Sequence, residues 1–170
     1  MRSNGYSKHS VTGDLVKGAL AGAVATWVMG KATTWMYEHE SRAVRKRENA
    51  ARHGKSAYVV AAEKAADVSG VKLSNDEKKK AGSAIHWALG IAAGAAYGVA
   101  RRRFPATASL KGLPFGAGFF VAIDEVMNPA LGLTPGPTVF PWQTHARGLG
   151  GHMVFGMVSE VVLEGMDRVA

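Results

Sequence analysis

Charged and apolar positions along this chain are sorted into long blocks, without the two-residue alternation of a strand. Four stretches, 18–30, 84–100, 112–123 and 148–159, carry no Asp, Glu, Lys or Arg. None of them shows the broad polar face that a water-facing helix presents at its 3.6-residue period. With their flanks they predict four long helices, at 14–37, 82–103, 108–127 and 144–166. The first would extend about 36 Å, enough to cross the hydrocarbon core of a bilayer.

The character changes between the first two blocks. The segment 38–81 holds eleven Lys and Arg and seven Asp and Glu, and reads as a solvated, partly helical excursion with an amphipathic piece at 57–68. Its mixed signs and scarce aromatics argue against a nucleic-acid arm. Ser74-Asn75-Asp76-Glu77 fits a capping box, in which the Ser and Glu side chains each satisfy the other residue's backbone donor, so the second long helix starts near Asn75. Arg101-Arg102-Arg103-Phe104-Pro105 ends it. Pro114 falls in the first turns of the third helix, where a missing donor costs least, and Asn128-Pro129 closes that helix. LGLTPGPTVFPW then forms a stiff connection, because Pro135, Pro137 and Pro141 fix φ. The polar start, Met1 to Thr12, is expected to be loose and shows no cleavable signal pattern, so the first helix is expected to remain in the protein.

Glycine is the second pattern. Gly18 and Gly22, then Gly90, Gly94 and Gly98, then Gly112 and Gly116, repeat every four residues within the apolar blocks. Each interior glycine costs a helix about 1 kcal/mol relative to alanine, so the spacing points to close helix contacts of the kind found in lipid, where small residues let backbones approach.

Composition sharpens the choice between a soluble and a membrane bundle. A mean hydropathy near zero is low for a multi-span protein and keeps a soluble four-helix bundle in view. Against it stand the glycine spacing and an aromatic collar: in an antiparallel bundle Trp35, Tyr37, Trp87, Phe140 and Trp142 gather at one end, as at a membrane interface. The expected architecture is therefore all-α: an antiparallel four-helix transmembrane bundle, one membrane domain over 1–170, with the charged loop 38–81 between its first two helices. Its expected location is a bacterial inner membrane. The net charge of +8 suits an anionic bilayer, and Arg101, Arg102, Arg103 and Lys111 in a short loop place both termini on the cytoplasmic side by the positive-inside rule. The absence of cysteine excludes disulfides and thiolate metal ligands.

Ionisable residues inside apolar helices need a reason to be there. The four-helix topology sets Lys31, His86, Asp124, Glu125 and His152 in one layer below the same surface, about 5 to 12 Å deep, with His145 joining this polar layer from the start of the fourth helix and a lid of Thr134, Pro135, Pro141 and Trp142 capping it. His145, His152, Gly156 and Glu160 share a helix face. Asp124 or Glu125 with Lys31, and His86 with His152, are the expected partners, although Lys31 has the reach to snorkel to the surface instead. Glu160 and Glu164 fall near the opposite surface, within reach of Arg101, Arg102, Arg103 or Lys111.

GLTPGPTVFPW followed by GGHMVFGMVSEVV resembles the YagU-like family of small bacterial inner-membrane proteins. The shared residues are Gly132, Leu133, Thr134, Pro135, Pro141, Trp142, Gly151, His152 and Glu160, over about the last third of the chain. The resemblance implies a four-span inner-membrane protein without assigned chemistry, linked to acid tolerance. Three functions follow as expectations. The first is a proton-responsive module built on the His/Asp layer. The second is a structural or assembly subunit that packs through its glycine stripes into a homo-oligomer or a larger membrane complex. The third is a His/carboxylate metal site. No nucleophile elbow, phosphate loop or dinucleotide fingerprint occurs, so no catalytic residue and no cofactor is expected.

Overall fold

The structure is a computed structural model and describes residues 10–169; most of the polar start expected to be loose lies outside them. Among the described residues it is entirely helical. Helix α1 is Val11–His39, α2 Arg42–Ala51, α3 Ala57–Val68 and α4 Asn75–Arg103. Helix α5 is Ser109–Phe120, continued by a π-helical stretch, Val121–Met127, and a last turn, Asn128–Ala130. Helix α6 is Trp142–Val169.

The first four helices each start on a serine, Ser10, Ser41, Ser56 and Ser74, whose hydroxyl accepts a backbone N–H otherwise left unpaired in the first turn. At Ser74 the reciprocal bond from the Ser74 N–H to the Glu77 carboxylate is also made, at 2.8 Å, so the capping box is real. The third helix differs from expectation. Leu110, Lys111 and Gly112 are all left-handed, with φ of 48°, 59° and 79°, so regular α-helix begins only after Gly112 and Pro114 sits in its first turn.

The four long helices run antiparallel. α1 packs on α4 and α6, and α5 packs on α6. Glycine sets both tightest crossings. A Cβ on Gly22 would lie 2.5 Å from the Gly90 carbonyl oxygen, and one on Gly94 would lie 2.5 Å from that of Gly18. In the second pair, a Cβ on Gly116 would overlap the His152 carbonyl, and one on Gly112 the Gly156 carbonyl. The glycine stripes are thus consumed within the chain.

The distribution of side-chain size is inverted relative to a water-soluble bundle. Buried positions along α1 are Asp14, Gly18, Ala21, Gly22, Ala25 and Thr26, while Val16, Leu20, Val24, Trp27 and Trp35 of the same helix are exposed. The four tryptophans, Trp27, Trp35, Trp87 and Trp142, are 57, 61, 38 and 71% exposed and fall in the same half of the bundle. Two helices, Asn75–Arg103 and Pro105–Ala130, are long and apolar enough to cross a membrane; α1 and α6, expected to span, carry too much charge or too little hydropathy to meet the same measure.

The charged segment 38–81 is not simply solvated surface. Helix α3 lies along α4, and α2 is fastened by its one acid: Glu48, 4% exposed, accepts two hydrogen bonds from the Arg147 guanidinium of α6, at 2.6 and 2.7 Å. Arg147 also pairs with Glu40 and lies over the Tyr37 ring.

Candidate functional site

At the end of the bundle away from the two termini, the helices part around a cavity of about 220 Å³. Every long helix contributes to it: Met29 and Thr33 from α1, His86 from α4, Phe120, Asp124, Glu125 and Asn128 from α5, and Thr144, His145, Gly148 and His152 from α6. Arg52, Ser56 and Tyr58, around the joint between α2 and α3, close one side; Thr134, Pro135, Pro137 and Phe140 of the proline-rich turn close another. The turn is anchored from below, because the backbone carbonyl of Asn128 accepts the N–H of Leu133 at 2.8 Å.

Five of the six residues expected in the polar layer meet here, and their pairing is new. The acids face histidines. His152 Nδ1 lies 3.8 Å from Asp124 Oδ2 and 2.9 Å from the Gly148 carbonyl, so Nδ1 carries the proton and donates to that carbonyl. Phe119 and Phe120 pack against the same ring. His86 packs against Tyr58, with ring centroids 4.7 Å apart and the planes inclined at 58°, instead of bonding to His152. Lys31 does not join the layer: it is exposed on the outer face of α1, between Trp27 and Trp35. Of the expected lid residues, Thr134 and Pro135 line the cavity. Pro141 is buried outside it and Trp142 projects outward, because helix α6 begins at Trp142 and turns that side chain away from the bundle axis.

The most informative group is His145. Its Nδ1 is 2.6 Å from Glu125 Oε1 and its Nε2 is 3.0 Å from the carbonyl oxygen of Pro137. A neutral imidazole has one N–H, yet both neighbours accept. Making both bonds requires one proton beyond a neutral histidine and an ionised carboxylate. Either the ring is an imidazolium, or Glu125 is a carboxylic acid donating to Nδ1. The pair therefore holds an exchangeable proton that ties α5 to the lid.

Several site residues were not anticipated. Arg52 and Tyr58 come from the segment taken for a solvated excursion; burial pushes the Tyr58 phenol above its ordinary value, and the nearby Asp124 carboxylate pushes the same way against Arg52. Thr144 is buried on the cavity wall, its hydroxyl without a hydrogen-bond partner among the described residues. Among those residues no three His, Asp or Glu side chains are grouped to hold a metal ion.

A second polar cluster lies at the opposite end. Glu160, 3% exposed, receives hydrogen bonds from Tyr97 at 2.6 Å and from Arg101 at 2.6 and 2.9 Å. Arg101 and Arg102 also reach Asp167, and Arg102 reaches Asp14. Lys111 pairs with Glu164. The expected pairing of Glu160 and Glu164 with this basic end is what forms.

These features define a class: an all-helical bundle with an apolar exterior, a glycine-packed interior and an ionisable cavity at one end. The chain belongs to a family of unknown function, DUF1440, whose model matches residues 57–161, from the start of α3 to a point deep in α6. The match takes in His86, Asp124, Glu125, His145 and His152 and stops short of α1 and α2. No curated protein and no solved structure matches the chain.

Proposed function

We propose that this protein is a four-span bacterial inner-membrane protein, of the YagU-like kind, whose His/Asp cavity responds to protons and supports acid tolerance. The observation that carries the reading is the His145 bridge. A bridge that needs one proton beyond a neutral histidine and an ionised carboxylate is complete while that proton is held and broken when it is lost. Its breaking releases the Pro137 end of the proline-rich turn from Glu125 while the Asn128–Leu133 bond holds the other end, and opens the cavity on that face. The neighbours that set the response are Asp124 and Glu125 on α5, His86 on α4, His152 on α6, and Arg52 and Tyr58 over the mouth.

The membrane part rests on the exposed apolar faces of the four long helices, the outward tryptophans, and the two helices long and apolar enough to span. Both termini are read as cytoplasmic on the strength of Arg101, Arg102, Arg103 and Lys111; the basic residues of α2 and α3 vote for the reverse. The chain lacks cysteine, so single cysteines placed at Ser109 and at Ser69, labelled in intact cells with an impermeant maleimide, report orientation directly.

The decisive experiment is reconstitution. Wild-type protein in liposomes is expected to show a pH-dependent flux of protons or small solutes that His152→Ala abolishes; a fully active His152→Ala protein overturns the reading. Sodium carbonate washing tests the membrane part separately, and a protein released by it is not a spanning one. The assembly reading loses its original basis, because the stripes it would use are filled by the chain's own helices.

A further inference from the structure

Helix α2 has two faces of opposite purpose. Val44, Glu48 and Arg52, four residues apart, point inward; Glu48 is buried and its two oxygens are taken by Arg147 and Arg52. Glu40, just before the helix, is likewise turned to Arg147. Arg42, Arg45, Lys46 and Asn49 follow the i, i+3, i+4, i+7 spacing of one face. With Tyr37 they line a shallow surface pocket of about 360 Å³. Asn49 donates to the Tyr37 hydroxyl at 3.1 Å, and the Arg45 guanidinium lies 5.6 Å from the centre of the Tyr37 ring. The pocket lining contains no acid. Among the described residues no carboxylate oxygen comes within 4.0 Å of the charged nitrogens of Arg42, Arg45 or Lys46; Arg45 is half-buried, and other half-buried cations such as Lys17, Arg101, Arg102 and Arg147 are paired.

We propose that this pocket binds the phosphate headgroup of an anionic phospholipid, in either leaflet, with the acyl chains against the outer face of α1. The inference rests on the membrane reading above. Three cations and a tyrosine with no carboxylate among them match a phosphodiester in charge and in hydrogen-bond donors. The exposed apolar stripe of α1, Val16, Leu20, Val24, Trp27 and Trp35, runs up to the level of Tyr37, which sits about 200° around the helix from Trp35, at the flank of the stripe. That puts the site at the depth where headgroups meet an aromatic belt. Two of the acids nearest these cations in sequence, Glu40 and Glu48, are both taken by Arg147.

The test is native mass spectrometry of the full chain in detergent, titrated with phosphatidylglycerol or phosphatidylcholine. Wild type is expected to retain phosphatidylglycerol about tenfold more than phosphatidylcholine. Arg42→Gln/Arg45→Gln/Lys46→Gln is expected to lose that preference, and Lys72→Gln/Lys79→Gln/Lys80→Gln, with the same change in charge, to keep it. A triple α2 variant that binds like wild type overturns the proposal. So does an equal loss in the control, or full competition by millimolar inorganic phosphate, which would mark a small-anion site. Carbonate washing of the same variants separates this outcome from the membrane reading: a variant that stays in the membrane without its lipid preference supports the site.

Discussion

Glu125 and His145 lie twenty residues apart in sequence and meet at 2.6 Å, with the far nitrogen of the same imidazole on the Pro137 carbonyl. A glutamine at position 125 separates the two ways of holding this bridge. Its amide N–H donates to Nδ1 whatever the pH, leaving Nε2–H for Pro137, so Glu125→Gln keeps both bonds without an exchangeable proton. The turn should then stay closed from pH 5 to pH 8. A cysteine introduced at Thr134 reports this: its labelling rate, divided by that of a fully exposed reference cysteine at the same pH to remove the thiol's own ionisation, should rise with pH in the wild-type background and stay flat with Glu125→Gln. His145→Ala should label fast at every pH. Equal pH profiles in all three backgrounds would dismiss the bridge as a switch.

At the other end, Glu160 holds Arg101 and Tyr97 in a part-buried network. Removing one member of a buried pair leaves the other charge without compensation. Glu160→Ala is thus expected to destabilise the bundle by about 3 kcal/mol. Replacing both, as Arg101→Met/Glu160→Leu, should recover part of that loss. Thermal unfolding in detergent measures the difference, and a single variant as stable as wild type would show that the network contributes little.

Glycine substitutions should change sign with position. A Cβ on Gly94 meets the Cα of Gly22 and the carbonyl of Gly18, both backbone atoms that cannot move aside, so Gly94→Ala forces α1 and α4 apart. Nothing lies within 4 Å of a Cβ on Gly118, and Gly118→Ala should stabilise α5 by about 0.5–1 kcal/mol through helix propensity alone. Melting temperatures of the two variants, moving in opposite directions, check the packing. A Gly94→Ala protein that melts no lower than wild type would contradict it.

Much of this was legible from the sequence for physical reasons. Charge-free blocks, serine and proline signals and four-residue glycine spacing fix which segments are helices and which faces touch, so the helices around Gly22 and Gly94 fall where the pattern puts them. Helix depth likewise brings His86, Asp124, Glu125, His145 and His152 to one level. Depth does not fix azimuth, and there the reading failed: Lys31 is at the right height on the wrong side of α1. The π-helical stretch at Val121–Met127 alters the angular relation of Asp124 and Glu125 to the rest of α5, which a uniform period cannot anticipate. The role of α2 was hidden for another reason. Glu48 among six basic neighbours looks like solvated charge, and only the arrival of Arg147 from about a hundred residues away makes it a buried anchor.

That anchor sets the last expectation, a response to acid opposite in sense to the lid's. Burial pushes the Glu48 carboxyl up, but the Arg147 and Arg52 guanidiniums outweigh it and hold the group below its ordinary value. A carboxylate whose folded value lies below its unfolded one stabilises the fold fully above the unfolded value, and that contribution is lost as pH falls through the folded one. Helix α2 should therefore stay fastened at neutral pH and detach only under strong acid, below the usual glutamate range. Limited pepsin digestion across descending pH, read by mass spectrometry, should show cuts around α2 appearing late in wild type. In Glu48→Gln, which cannot ionise, α2 should be loose already at pH 7 and open to trypsin at Arg45, Lys46 and Arg47. Equal trypsin resistance in Glu48→Gln and wild type at pH 7 would mean that α2 is held by something other than the Arg147 pair.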